Sequence, residues 1–347
     1  MGGGGSYYDR DTKDGYDRGS SGTSTAADEK MGRRAADPGL LPKDRKIECQ
    51  AKTPVVFAFD VTGSMGNLPK IIYDKMPLIA GQIMECGYLD DPQVSLAAVG
   101  DIVSDVGPIQ IADFSAIRKL DDWLERIWLE GNGGGQAKES YEFTMYYYAR
   151  CCDLGDPELP FFLITGDEGF RETLYKGDLE RHFGGKHETI EAEQVVAELK
   201  KKFKDNVFII RRQYSGSENE KIQVQWEKLL GKDFVIPLLS DQAIADVTLG
   251  VFAIAGGTRT LDEYLGDLKT KRAVPQTDER CAEVRKSLER YAALRASMAP
   301  ARPKAAAAAA AAANPAAAGS ASSADPKPPK ADTGKAKGKG KKKGRVF

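Results

Sequence analysis

The sequence predicts an α/β fold with a mainly parallel central sheet, one antiparallel edge strand and helices on both faces, flanked by disordered N- and C-terminal tails. Three observations predict it. Five short apolar runs, Val55–Phe59, Val94–Val99, Pro160–Ile164, Val207–Ile210 and Phe234–Pro237, are rich in β-branched and aromatic residues and too short for buried helices. Longer amphipathic stretches alternate with them, the order expected of a parallel sheet covered on both faces. One stretch breaks the alternation: residues 94–114 hold two strand-like runs and no helix, which predicts a hairpin with Ile109–Phe114 antiparallel at an edge.

Along the chain, residues 1–46 are rich in Gly, Ser, Asp and Lys without apolar period and read as a disordered leader. Its first letters, MGGGGS, fit the N-myristoylation pattern at Gly2, but a glycine-rich disordered leader is the favoured reading of the same letters. The sheet domain is expected over 47–260, with helices at about 67–86, 115–129, 139–152, 188–203, 218–231 and 241–255. An insertion, Phe170–His187, carries Phe170, Leu174, Tyr175, Leu179 and Phe183 amid charges. It is expected to form a partner-recognition loop on the rim, with a small packed subdomain as the alternative. A helical extension over 261–299 places Cys281, Val284, Leu288 and Tyr291 at helical spacing, a stripe suited to packing on the sheet. Residues 300–347 form an Ala/Pro/Lys-rich tail that cannot bury enough apolar surface to offset its ordering entropy.

Charge is unevenly distributed. The segment 302–347 holds 11 Lys and Arg against 2 Asp, a net of +9; residues 1–46 carry +1, and the whole chain −1, so residues 47–301 carry −11. The Lys-rich tail gives one reading, a nucleic-acid or acidic-surface binder acting without sequence preference. It lacks the interleaved aromatics of a base-stacking platform. The five cysteines form neither an even set nor a CxxC pair, which argues for a reducing, cytoplasmic setting. No apolar run approaches the roughly 20 residues that span a bilayer.

Ligands of open α/β sheets bind beyond the carboxyl ends of the strands. Three strand ends therefore matter: Asp60 onward, the loop before Glu139, and Thr165 onward. Directly after the first strand, Asp60-Val61-Thr62-Gly63-Ser64 presents a carboxylate and two hydroxyls at alternate positions. All three are hard oxygen donors, which suit magnesium or manganese and disfavour zinc or copper. Asp101 and Asp105 read as turn residues of the hairpin, with a place near the rim of the same site as the alternative. A metal-dependent hydrolase would need a general base, yet the only histidines, His182 and His187, are five apart across Gly184-Gly185. Catalysis is not expected.

DVTGS matches the D-x-[ST]-x-S metal-ion-dependent adhesion site (MIDAS) of von Willebrand factor A-like (vWA) domains, and the chain resembles the bacterial intracellular members over about residues 53–256. The glycine-rich run Gly131–Gly135 followed by Gln136, Ala137, Lys138, Glu139 and Ser140 resembles the family's second loop, with Gln136 where many members carry Thr or Asp. Asp167 after PFFLIT matches the third element. The resemblance implies a Rossmann-like vWA fold and a Mg2+ ion, with Mn2+ the alternative, held by Asp60, Thr62, Ser64, Gln136, Glu139 and Asp167. It further implies a metal-dependent protein–protein interaction module whose partner offers an Asp or Glu, and a last sheet helix that shifts with occupancy. Bacterial relatives of this kind often work with MoxR-type AAA+ ATPases. The chain has no GxxxxGK[ST] phosphate loop of its own.

Overall fold

A computed structural model describes residues 35–131 and 137–298. The basic tail, most of the leader and Gln136 lie outside the described residues. In chain order the main elements are β1 (Pro54–Asp60), α1 (Leu68–Cys86), β2 (Gln93–Val99), β3 (Ile109–Ile111), α2 (Leu120–Leu124), α3 (Tyr141–Arg150), β4 (Phe161–Gly166), α4 (Lys176–Phe183), α5 (Ala192–Lys202), β5 (Val207–Arg212), α6 (Asn219–Leu230), β6 (Val235–Leu238), α7 (Ile244–Ala255), α8 (Leu261–Thr270) and α9 (Asp278–Met298).

The central sheet has the order β6-β5-β4-β1-β2-β3. Every neighbouring pair is parallel except β2 with β3. The fold class is therefore the expected one, including the antiparallel edge. β1 is buried throughout because both sheet faces are covered, which is why PVVFAFD reads as a continuous apolar run rather than an alternating one. Val55, Phe57 and Phe59 pack into one core, while Val56 and Ala58 pack into the core on the other face.

Chain direction reverses at one place in this order. From β1 the chain moves to β2 and β3 on one side, then crosses to β4, β5 and β6 on the other. The carboxyl ends of β1 and β4 thus flank the topological switch point, where loops diverge and leave room for a ligand.

Three local expectations are corrected. The helix expected over 115–129 is mostly absent: Ser115–Ala116 pairs with β2, a 3-10 turn follows at Ile117–Lys119, and α2 has only five residues. The apolar period there reflects Ile117, Leu120, Leu124 and Ile127 packing under a short irregular crossing rather than one long helix. The insertion at 170–187 is a packed unit, not an open recognition loop. Phe170, Leu174, Leu179 and Phe183 are buried in the core around α3 and α5, and only Tyr175 stays exposed. Their burial releases more apolar surface from water than an exposed rim loop could. Within the leader, residues 35–46 are ordered: Leu40 is fully buried, Arg126 pairs with Asp37, and Arg45 donates to Ile111 O and Asp113.

Two helices follow the sheet. α7 is apolar and buried on every side, because α8 and α9 cover its outer face. Cys281, Val284, Leu288 and Tyr291 of α9 are buried in the main core, as their spacing predicts. Gly250 of α7 lets the layers close: a Cβ there would lie 2.3 Å from Leu288 and 2.7 Å from Tyr264. Asp246 of α7 forms a buried ion pair with Arg272, at 3.1 Å. A capping box, Thr260 with Glu263, starts α8.

Candidate metal centre

The switch point brings together Asp60, Thr62, Ser64 and Asp167. Asp60 is the last residue of β1 and fully buried. Its Oδ1 accepts the Thr62 backbone N–H at 2.8 Å and the Thr62 hydroxyl at 2.5 Å. The chain then makes a 3-10 turn at Gly63–Met65, followed by Gly66 at φ +57°, a conformation that favours glycine. This tight turn brings the Ser64 hydroxyl to 3.3 Å from that of Thr62. The Ser64 hydroxyl also donates to Asp167 Oδ1 at 2.9 Å, joining segments 103 residues apart.

The described residues on either side of the glycine-rich run are tied to the strand ends. At its start the Gly131 N–H donates to Val61 O. At its end the Glu139 N–H donates to Gly169 O, two residues beyond Asp167, and the Ser140 N–H donates to Gly100 O at the end of β2. Glu139 is only 1 % exposed, and its Oε2 has no hydrogen-bond partner. A buried carboxylate oxygen left in this way is costly unless a cation or proton reaches it.

Sequence reasoning missed four residues of this cluster. Tyr141, in the first turn of α3, donates its hydroxyl to Asp60 Oδ2. It reaches Asp60 across Gly166, where a Cβ would sit 2.3 Å from the Tyr141 oxygen. Glu168 follows Asp167 and is buried. Arg212 ends β5; its Nη1 donates to Ser64 O at 3.0 Å and lies 3.7 Å from Asp167 Oδ2. Asp241 accepts from Arg212 Nε at 3.0 Å. Arg212 was findable, since the strand-end rule that selects Asp60 and Asp167 applies equally to Arg211-Arg212 after VFII. Tyr141 was not, because only the packing of α3 against β4 aims it.

The electrostatics are those of an acidic pocket short of cations. Burial first, and Asp167 second, push the Asp60 carboxyl up, against hydrogen bonds from Thr62 and Tyr141. Burial also raises Glu139, reinforced by Asp60 and Glu168. Asp167 is raised by burial despite Ser64 and Arg212, and Glu168 reaches about 7 through burial and Asp167. Beside the cluster, Asp101 pairs with Arg171 at 2.5 Å and its side chain closes the hairpin turn, as its reading as a turn residue predicts. Among the described residues no three His, Cys, Asp or Glu side chains form a metal-holding cluster. A cation here would depend on the Thr62 and Ser64 hydroxyls, and oxygen donors alone favour a hard ion.

The histidines lie apart from this chemistry in kind. Tyr146 donates to His187 Nδ1, and His187 Nε2 donates to Gly184 O. His182 packs edge-on against Phe143, and burial lowers its pKa.

No protein-family model and no curated protein matches the chain. Solved structures do. The von Willebrand factor type A protein from Catenulispora acidiphila is 14 % identical, with a TM-score of 0.33, covering 65 % of this chain and 53 % of that one. BatB, a conserved hypothetical protein from Bacteroides thetaiotaomicron, is 12 % identical, with a TM-score of 0.34, covering 59 % of this chain and 99 % of its own. The pilus adhesin SpaC from Lactobacillus rhamnosus GG is 11 % identical, with a TM-score of 0.38, covering 63 % and 34 % respectively. The chain thus spans about a third of the adhesin and about half of the Catenulispora protein. Among the described residues no helix is long and apolar enough to cross a membrane.

Proposed function

We propose that the chain is a vWA-type interaction module that binds an acidic side chain of a protein partner through Mg2+, or Mn2+, at the β1–β4 switch point. The observation that carries this reading is the hydrogen-bonded cluster of Asp60, Thr62, Ser64 and Asp167 at the ends of β1 and β4, with Glu139 buried close enough to feel the Asp60 charge and its Oε2 without a hydrogen-bond partner. Asp60, Thr62 and Ser64 would hold the ion, with Asp167 and Glu139 beside them; Gln136 lies outside the described residues. When bound, the ion would supply an open coordination position for a carboxylate.

The chain's own residues prepare that position. Tyr141 and the Thr62 N–H fix the Asp60 carboxylate in one orientation. Ser64 ties the first strand end to the second. The bond of Glu139 N–H to Gly169 O ties the segment leading into α3 to the strand end that carries Asp167. Supporting carboxylates of this kind orient ligands and tune affinity. A binding module rather than an enzyme is favoured because both histidines are engaged in packing or hydrogen bonds to their own insertion and helix α3.

Calorimetric titration of the full-length chain with MgCl2 and MnCl2, beside Asp60→Ala, tests this reading. Saturable binding by the wild type that vanishes in the variant supports it. A folded wild-type chain that takes up neither ion would sink it and leave the Lys-rich tail as the leading functional segment.

A further inference from the structure

Arg212 lies across the mouth of the candidate site and binds three of its parts at once. Nη1 donates to the Ser64 carbonyl at 3.0 Å and stands 3.7 Å from Asp167 Oδ2, and Nε donates to Asp241 Oδ1 at 3.0 Å. The Arg212 side chain is 29 % exposed, whereas the Asp167 side chain is 2 % exposed, so a partly exposed cation meets a buried carboxylate. Asp241 belongs to the 3-10 turn Asp241–Ala243 that leads directly into α7. Its side chain is 28 % exposed.

Neighbouring cations are already engaged. Arg211 donates to Gln223 Oε1 and to Asn219 through both its carbonyl and its side chain. Arg171 serves Asp101 and Ser140. Arg212 is therefore the cation whose hydrogen bonds and ion pairs meet Ser64 and Asp167 directly.

We propose that Arg212 is the resident counter-cation of this site: it neutralises Asp167 when no metal ion is held, competes with the ion for that carboxylate, and so sets the metal affinity. Asp241 decides how strongly it competes, because it offers Arg212 a second carboxylate besides Asp167. A guanidinium has donors only and can never itself be a metal ligand. Near Asp167 it acts on a metal ion purely as a like charge and as an occupant of a needed oxygen. Two unit charges about 4 Å apart at a partly exposed site change a binding constant tenfold or more. The proposal rests on reading the site as a metal centre.

The test is calorimetric titration of the full-length chain with MgCl2 and with MnCl2, comparing wild type, Arg212→Gln and Asp241→Asn, with thermal melting in EDTA alongside. Arg212→Gln is expected to bind the ion about tenfold tighter or more and to melt lower than wild type in EDTA, since Asp167 has lost its counter-ion. Asp241→Asn is expected to bind it more weakly, because Arg212 then has Asp167 as its carboxylate partner. A merely structural Arg212 would weaken binding in both variants. Affinity unchanged or reduced in a folded Arg212→Gln chain overturns the proposal; should that variant fail to fold, unchanged or tighter binding by Asp241→Asn does the same. Failure of the metal reading is distinguishable, since neither wild type nor Arg212→Gln would then show saturable binding.

Discussion

Glu142 gives the clearest case of a functional neighbourhood that costs stability. It lies one residue into α3, is 1 % exposed, and neither carboxylate oxygen has a hydrogen bond of ordinary geometry. Its nearest cation, Arg171 Nη1, is 4.0 Å away and already pairs closely with Asp101. Burial raises the carboxyl from 4.5 to about 8, with Arg171 opposing. A carboxyl whose folded pKa lies above its unfolded value stabilises the fold fully below the unfolded pKa and loses that contribution as pH rises. For Glu142 the loss runs from about pH 4.5 to about pH 8. At about 1.4 kcal/mol per unit the whole difference would approach 5 kcal/mol; allowing for relaxation around a nearby Arg171, about 2–3 kcal/mol is expected. Glu142→Gln keeps the shape and removes the ionisation. The variant should melt at about the wild-type temperature at pH 5 and roughly 5–10 °C higher at pH 8.5, both in EDTA. Differential scanning calorimetry at the two pH values measures this. A variant less stable than wild type at pH 8.5 would refute the reasoning, because it would show that the ionised carboxylate is a net stabiliser through Arg171.

Two further expectations concern packing. Gly166→Ala places a methyl group against the Tyr141 hydroxyl, so it should displace Tyr141 from Asp60 and reduce metal uptake at least tenfold while costing about 1–3 kcal/mol of stability; uptake equal to wild type would show that the Tyr141 contact does not matter. A chain ending at Arg259 would expose the face of α7 around Gly250, which Leu288 and Tyr264 now cover, and strip Asp246 of Arg272. Losing that cover returns apolar surface to water and removes the ion pair, so the shortened chain should not melt cooperatively, as calorimetry or hydrogen exchange would reveal.

Much of the architecture was legible because apolar period and run length report burial directly. VVFAF, VSLAAV and VFII are short, β-branched and flanked by longer amphipathic stretches, and such runs have few other ways to be buried. The crossing at 115–129 misled for the same reason: period 3.6 at Ile117, Leu120, Leu124 and Ile127 reports one buried side, and a short irregular segment can supply it as well as a helix. The insertion misled because exposed and buried aromatics are identical in sequence; whether Phe170 and Phe183 face solvent or α3 depends on what lies above them.

The sequence by itself determined the sheet, its antiparallel edge and the two strand ends that carry Asp60 and Asp167, since each of these follows from local pattern and from the order of elements; Glu139, expected at a third strand end, lies instead in the segment that leads into α3. Only the tertiary structure decided which side chains complete the cluster. Tyr141, Glu168, Arg212 and Asp241 join it through contacts made across the sheet, over sequence separations of up to 148 residues in the case of Arg212 and Ser64. Local propensity carries no information at that range, because the partners meet only after α3, β4 and β5 have packed and their side-chain directions have been fixed by burial.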